Sequence, residues 1–598
     1  MQRHAAWEIV FMDQINLLFE PLFDFLESVP QAGPWYTNTI RFVMPFLALG
    51  VLIDVLRSLL RVENPAETWG YLETPEGEQL PITHWENTLG RAPSSDVVLS
   101  YPSVSRTHAG LIRDDAGEWT ITDLGSKGGT LVNGEEVEGK TPIHPGDTLE
   151  LGGVELLFLP VPHEEKQREI AKRRKKSRPV PSWGSLVILT LFQLLTVIQF
   201  AVAEGREWNP QIPLAFFGLT CTMWCYVFAL RAMRRVGFEM EIIVFFLCTL
   251  NLAVTASSVP SKMLKEFFMI LAGLVVFLAL GWYLRDLRRA SRLRYLMGAG
   301  AVVLFLINLA IAGVSHGARN WVEIFGIRFQ PSELIKVAYV YAGAATLDKL
   351  FTKRNLYGFI LFTGFCLGCL AIMKDFGTAA IFFITFLVIA FLRSGDFATL
   401  SLITGGAAFA GMMVLRFKPY IAERFAVWGH VWEQASGKGF QQTRTMCAAA
   451  SGGLVGVGAG KGWLEGVFAA NTDLVFGMLC EEWGLIIALL SVACIVTLAV
   501  FAVRCTKAGR STFYTIAACA ATSLLVFQSI LNIFGSVDLL PLTGVTLPFV
   551  SHGGSSMISA WGLLAFLKAA DTRQNASFAI KLEPKRKRKE RSDHYEED

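Results

Sequence analysis

Two hydrophobic rhythms divide the chain. From Trp183 onward, long apolar runs recur between short polar breaks. Runs of about 18 or more apolar residues read as transmembrane helices. Spans are expected near 184–203, 213–231, 241–258, 265–284, 295–314, 333–348, 356–373, 378–393, 398–416, 475–501, 514–534 and 552–570. Phe42 to Leu60 gives one more, with Asp54 and Arg57 near its end and an interfacial helix as the alternative. The total is about thirteen spans. Residues 1–34 are mildly amphipathic and lean acidic, without the basic start and cleavage site of a removed signal. Residues 65–160 follow the other rhythm, with short alternating runs and frequent turn residues. Trp119-Thr-Ile-Thr predicts a strand, Asn133-Gly134 a hairpin turn, and Thr148 to Leu159 alternates around Gly152-Gly153. Several short strands at regular spacing predict a soluble β-sandwich.

Composition agrees with a membrane protein. Of 598 residues, 52% are hydrophobic and only 18% charged, against about a quarter charged in soluble domains. This excludes a small secreted scaffold, a disordered tail protein and a lone soluble domain. The net charge of +3 carries no nucleic-acid signal. Positive charge clusters in alternate breaks, at Arg231/Arg234/Arg235, Arg285 to Arg294, Lys349/Lys353/Arg354, Arg504/Lys507/Arg510 and the tail Lys585 to Arg591. The positive-inside rule makes these breaks cytoplasmic, together with the β-sandwich, and puts the N-terminus outside. The basic run 166–178, directly ahead of a span, reads as an anchor on anionic lipid. Nine of the ten cysteines lie in apolar runs, and the Cys366/Cys369 pair reads as two buried small hydrophobes.

Three outer loops carry more polar residues than a connection needs: 315–332, 417–474 and 535–551. The second contains Arg424, Gln441, Arg444, the run Ser451-Gly-Gly-Leu-Val-Gly-Val-Gly-Ala-Gly-Lys461-Gly, and Asn471-Thr472-Asp473. No strand precedes the glycine run, so it is not a phosphate loop. Glu481 and Glu482 follow two turns deeper. Ionisable groups at membrane depth are costly, and a functional role and a structural cap are both open for them. The first loop reads Arg319-Asn-Trp321 through Gln330-Pro331-Ser332-Glu333-Leu-Ile-Lys336. The third reads Pro541-Leu-Thr-Gly544 through Pro548-Phe-Val-Ser551-His-Gly553-Gly554-Ser555-Ser556. Non-helical backbone at membrane depth must line a cavity or be buried in protein.

Those two segments, with Lys374-Asp375-Phe376-Gly377 and Asn471-Thr-Asp-Leu-Val-Phe, closely resemble the SEDS family, the RodA, FtsW and SpoVE proteins of cell-wall synthesis. The resemblance covers roughly residues 240–570. It implies a polytopic α-helical bundle that polymerises lipid II on the outer face of the bacterial cytoplasmic membrane. Asp473 falls on the family's catalytic aspartate, the implied general base for the acceptor C4 hydroxyl. Trp321, Gln330, Glu333, Asp375, Gln441, Ser551, Gly553 and Ser555 are the implied substrate-binding positions. Arg319, Lys336, Arg424 and Lys461 are candidates to neutralise the leaving pyrophosphate. A divalent cation, magnesium or manganese, is left open, and no cofactor is otherwise called for. Asn471 stands where the family motif has histidine, and Lys374 where it has proline. The implied partner is a class B penicillin-binding transpeptidase.

Residues 65–160 resemble a forkhead-associated (FHA) domain, through Gly90-Arg91, Ser105-Arg106-x-His108, Gly129-Thr130 and Asn133-Gly134. The resemblance implies binding of a threonine-phosphorylated protein or Ser/Thr kinase. Arg91, Ser105 and Arg106 would meet the phosphate, with Thr130 and Asn133 also in the binding set and His108 bracing the loop. Gly128 replaces the usual asparagine. The expected organisation is an N-terminal segment 1–61 with one span, an FHA domain 65–160, a basic linker 161–182, two added spans in 183–235, a SEDS core 240–570 and a charged tail 571–598. A lipid II flippase and a catalytically silent scaffold are the alternative readings. The chemical residues sit in outer loops, which favours the polymerase.

Overall fold

The computed structural model describes residues 2–61, 67–93, 95–114, 117–168, 181–285, 287–313, 320–324, 327–345, 353–394, 401–406, 408, 411–412, 416, 425–508, 511–573 and 576–577. Two helices open the chain, α1 (Gln2–Ser28) and α2 (Ala32–Arg61). Eleven strands follow: β1 (Gly70–Glu73), β2 (Gln79–Ile82), β3 (Glu86–Gly90), β4 (Val97–Val98), β5 (Ala109–Arg113), β6 (Trp119–Asp123), β7 (Thr130–Val132), β8 (Glu135–Glu136), β9 (Thr141–Ile143), β10 (Thr148–Leu151) and β11 (Val154–Leu159). They form a sandwich of two sheets, ordered β2-β1-β11-β10-β7-β8 and β4-β3-β5-β6-β9. Alternation builds it: in β11, Val154, Leu156 and Phe158 face the core, while Glu155 and Leu157 are exposed. Leu72, Leu89, Leu111, Ile121 and Leu149 complete that core. The Asn133-Gly134 turn has both φ angles positive, at 52° and 86°, which suits a tight two-residue hairpin.

The helical part runs α3 (Trp183–Glu204), α4 (Gln211–Ala232), α5 (Glu239–Ser258), α6 (Met263–Tyr283), α7 (Leu287–Ile311), the hairpin β12 (Val322–Ile324) and β13 (Ile327–Phe329), α8 (Pro331–Ala345), α9 (Lys353–Met373), α10 (Phe376–Ser394), α11 (Phe440–Gly452), α12 (Val475–Glu482), α13 (Gly484–Ala508), α14 (Thr512–Ser536) and α15 (Gly554–Ala570). Among the described residues, eight helices are long and apolar enough to cross a membrane: α2 to α6, the Arg292–Ile311 part of α7, α13 and α14. The protein is thus a multi-pass helical membrane protein with a separate β-sandwich. The expected spans at 333–348, 356–373, 378–393 and 552–570 coincide with the shorter helices α8, α9, α10 and α15. About half of the expected span 398–416 lies outside the described residues.

One expected span is corrected. Residues 475–501 are not a single helix: α12 ends at Glu482, and α13 starts afresh at Gly484. Gly484 has φ +84°, which ends a helix at little cost only for glycine. The N-terminal span also starts earlier than expected, at Ala32. Helices α2 and α3 pack side by side, tied by the Tyr36 hydroxyl donating to the Leu195 carbonyl at 3.0 Å. On α1, Glu20, Asp24 and Glu27 converge on Arg206 at 3.1, 2.5 and 2.6 Å. Helix α5 is buried almost throughout.

Candidate active site

Segments of all three polar loops meet at one cavity of about 390 Å³. Asn320, Trp321, Arg328 and Gln330 come from the first loop. Phe468, Ala469, Thr472 and Asp473 come from the second, and Thr543, Gly544, Thr546, His552, Gly553, Ser555 and Ser556 from the third and the start of α15. Lys374 and Asp375 join from the turn between α9 and α10.

Asp473 closes a turn in which its backbone N–H donates to the Ala469 carbonyl at 2.9 Å. Buried Asn532 on α14 donates to the carbonyls of Asp473 at 3.0 Å and Val545 at 2.7 Å, so one amide joins two walls. Gly544 has φ +72°, and a Cβ there would sit 3.2 Å from Asp473 Oδ2. Glycine therefore lets the third loop lie against the carboxylate. Ser551 braces the same corner: its Oγ donates to the Thr472 carbonyl at 2.6 Å and accepts from the Leu547 N–H at 2.8 Å.

Asp375 is buried and serves its neighbours. Its Oδ1 accepts from the Thr378 N–H at 3.0 Å and caps α10. Its Oδ2 accepts from Asn320 at 3.0 Å and Gln330 at 3.4 Å, which fixes the β12–β13 hairpin at the rim. Trp321 is half exposed there. Lys374 has φ +63°, a conformation proline cannot adopt because its ring locks φ negative. Lysine at that position thus matches the local backbone.

Glu333 and Lys336 lie beneath the cavity. Lys336 is 1% exposed and pairs with Glu333 at 2.7 Å. It also donates to Gln528 at 2.9 Å, and Gln528 donates to the Thr546 carbonyl at 2.8 Å. Thr546 and Ser556 share a hydroxyl bond of 2.7 Å, and Ser555 accepts from the Gln330 N–H at 3.3 Å. This ion pair supports the floor of the cavity and does not face into it. Gln441 donates to the carbonyl of rim residue Phe468 at 2.8 Å, and Gly553 lines the wall. Lys461 is directed elsewhere, donating to Thr37 Oγ1 at 3.2 Å. Arg319 and Arg424 lie outside the described residues.

Arg328, Lys374 and His552 are the basic side chains at the cavity among the described residues. None was named as a site residue from sequence; Lys374 stood out only as a departure from the family motif, and Arg328 and His552 lie within quoted motifs. His552 Nδ1 is 3.2 Å from buried Glu266 Oε2. Glu481 and Glu482 hold the glycine-rich loop against α12 and α5. Glu481 accepts from the Trp463 and Leu464 N–H groups at 3.0 and 3.1 Å; Glu482 accepts from Ser257 at 2.6 Å and from the Gly460 N–H at 3.4 Å. Among the described residues, no three His, Cys, Asp or Glu side chains group as metal ligands. The side chains described therefore build no cage for a cation by themselves.

At one end of the sandwich, Arg91 and Arg106 are exposed. Ser105 Oγ accepts from the Lys127 N–H at 3.0 Å. His108 is fully buried, accepting from the Ser105 N–H at 3.1 Å and contacting the Gly129 carbonyl at 2.9 Å. It braces two loops. Thr130 is buried and donates to Asp123 at 2.6 Å, and Asn133 donates to Asp147 at 2.9 Å, so both side chains are engaged within the sandwich. A Cβ on Gly128 would sit 2.7 Å from Gly152 Cα, which leaves no room for asparagine.

Two family models match the chain. The cell cycle protein family FtsW/RodA/SpoVE matches residues 238–576, and the FHA domain matches residues 87–152. The peptidoglycan glycosyltransferase RodA of Mycobacterium tuberculosis is 29% identical over 325 residues, covering 51% of this chain and 69% of that protein. The probable peptidoglycan glycosyltransferase FtsW of Moranella endobia is 32% identical over 304 residues, covering 49% and 79%. The crystal structure of the Thermus thermophilus rod shape determining protein RodA aligns with a TM-score of 0.41 at 23% identity, over 55% of this chain and 95% of that one.

Proposed function

The chain belongs to the FtsW/RodA/SpoVE family of cell cycle proteins and carries an FHA domain, and from this membership we infer that it is a peptidoglycan glycosyltransferase. Its substrate is lipid II. The C4 hydroxyl of the acceptor GlcNAc attacks C1 of the donor MurNAc with inversion. The new C–O bond forms as the bond to undecaprenyl pyrophosphate breaks. The hydroxyl proton passes to Asp473, and the bonding electrons leave with the pyrophosphate. The observation that carries this reading is a carboxylate on a cavity wall that also holds Arg328 and Lys374. A hydroxyl nucleophile needs a positioned base, and a departing polyanion needs cations. Trp321 offers an apolar face for a sugar ring at the rim. The charge pattern supports a cytoplasmic FHA domain and tail, with the cavity on the outer face of the bacterial cytoplasmic membrane. A class B penicillin-binding transpeptidase is the partner the family suggests.

The test is polymerisation of lipid II by the purified full chain with its transpeptidase. Asp473→Asn should lower the rate by about 10²- to 10⁴-fold, the usual worth of a general base. Equal rates for variant and wild type would remove Asp473 from the chemistry. No strands from either folded protein would favour the flippase or scaffold reading. The FHA domain is proposed to dock a threonine-phosphorylated protein through exposed Arg91 and Arg106 and half-buried Ser105. Arg91→Ala should abolish binding of a phosphothreonine peptide, read by titration calorimetry, and leave the melting midpoint unchanged. Unaltered binding would point to phosphate-independent docking.

A further inference from the structure

Helices α2 and α3 flank the β-sandwich in sequence and lie outside the matched segment 238–576. Their far ends grip the glycine-rich part of the loop that leads to Asp473. Gln199 on α3 is buried and donates to the Ala459 carbonyl at 3.3 Å. An amide inside an apolar helix is costly unless it has such a partner. Thr37 on α2 is buried, and its hydroxyl accepts from Lys461 at 3.2 Å. Gly458 has φ +109°, and a Cβ there would sit 2.7 Å from Thr37 Cγ2 and 3.2 Å from Gln199 Nε2. Beside it, a Cβ on Gly460 would sit 3.2 Å from Ala203 Cβ and 3.3 Å from Phe200 Cδ1.

The opposite side of this stretch is held by the core. The carbonyls of Glu481 and Glu482 accept from the Val457 and Gly458 N–H groups at 2.9 and 3.0 Å. Residues 457–464 are therefore clamped between the added helices and α12. The chain then runs directly into the turn that presents Asp473.

We propose that α2 and α3 set the position of the catalytic loop, with Thr37 and Gln199 as positioning residues for the transfer step. The proposal rests on the glycosyltransferase reading with Asp473 as base. Thr37 and Gln199 act through the loop backbone and touch no reacting atom. Their effect belongs on kcat, because a shift of about 1 Å in a catalytic group can cost about 100-fold in rate.

The test uses the full chain and lipid II polymerisation. Thr37→Val and Gln199→Leu keep side-chain volume and delete the polar contact. Each should lower kcat about fivefold, the equivalent of one net hydrogen bond, with KM unchanged. Amide exchange across 453–466 should quicken in both, and Thr37→Ser should restore kcat and exchange. A double variant with wild-type kcat would overturn the proposal. So would a loss of kcat that follows a lower melting midpoint with no local change in exchange. Full activity in Asp473→Asn would instead overturn the reading beneath it, and that variant is assayed alongside.

Discussion

Gly544 shows how much of the site depends on single residues. Its positive φ and its approach to Asp473 Oδ2 impose two separate demands on a side chain. Alanine there would carry a left-handed backbone penalty of about 1–2 kcal/mol and would press on the carboxylate. Gly544→Ala should therefore lower polymerisation at least tenfold, about the effect expected of a sub-ångström misplacement, with only a modest loss of stability. Lipid II turnover and thermal denaturation of one preparation would check both parts. Asp123 makes a related point in the sandwich. Burial pushes its carboxyl up, yet hydrogen bonds from Ser126, Thr130 and the Ser126 and Gly125 N–H groups outweigh it and hold the group below its usual range. The buried Thr130 hydroxyl is committed to that carboxylate.

At the scale of elements, the break between α12 and α13 matters most. It lets the carbonyls of Glu481 and Glu482 bond the glycine-rich loop. Gly484 makes this geometry available, since a Cβ there would sit 2.5 Å from the Gly456 nitrogen. Gly484→Ala should destabilise the protein by more than about 2 kcal/mol through combined strain and overlap. Denaturation in detergent would measure it, and a change below about 0.5 kcal/mol would mean the loop relaxes freely. From sequence, the apolar run 475–501 reads through this point. An isolated glycine inside a helical pattern does not announce a break; only the packing of 454–456 against it does.

At the scale of the molecule, α2, α5 and the segment after α15 are tied together by buried charged and polar groups. Arg573 is 2% exposed and donates to Glu239 at 2.9 and 3.0 Å, and to Asp571 from Nε at 3.0 Å and from Nη2 at 2.7 Å. Ser58 of α2 donates to the same Glu239 carboxylate at 2.5 Å. Lys568 pairs with Glu241 at 2.9 Å nearby. Helices α2 and α5 and the segment after α15 thus share one buried polar network. Arg573→Ala would strand two buried carboxylates and should cost about 3–5 kcal/mol. Arg573→Lys should recover only part of this, because an ammonium cannot reproduce the two-pronged contact. Melting curves of the two variants would separate charge from geometry.

Periodicity alone identified the two architectures. Alternation predicts strands, long apolar runs predict spans, and Asn133-Gly134 predicts a hairpin, because each reflects a local backbone preference joined to burial on one side. The polar loops were legible for a similar reason: polar, non-helical segments at membrane depth need a cavity to line. What each polar residue does there was not legible. Glu333 and Lys336 read like binding groups and lie beneath the cavity floor, while Asp375 both lines the cavity and holds the hairpin, because burial and partners come from helices distant in sequence. Glu481 and Glu482 could be read two ways until the loop carbonyls and N–H groups lay against them. His552, Arg328 and Lys374 reach the cavity only when the chain folds. Composition and pattern depend on neighbours along the chain, so they specify elements. The environment of a charge depends on neighbours in space, and long-range packing alone assigns those.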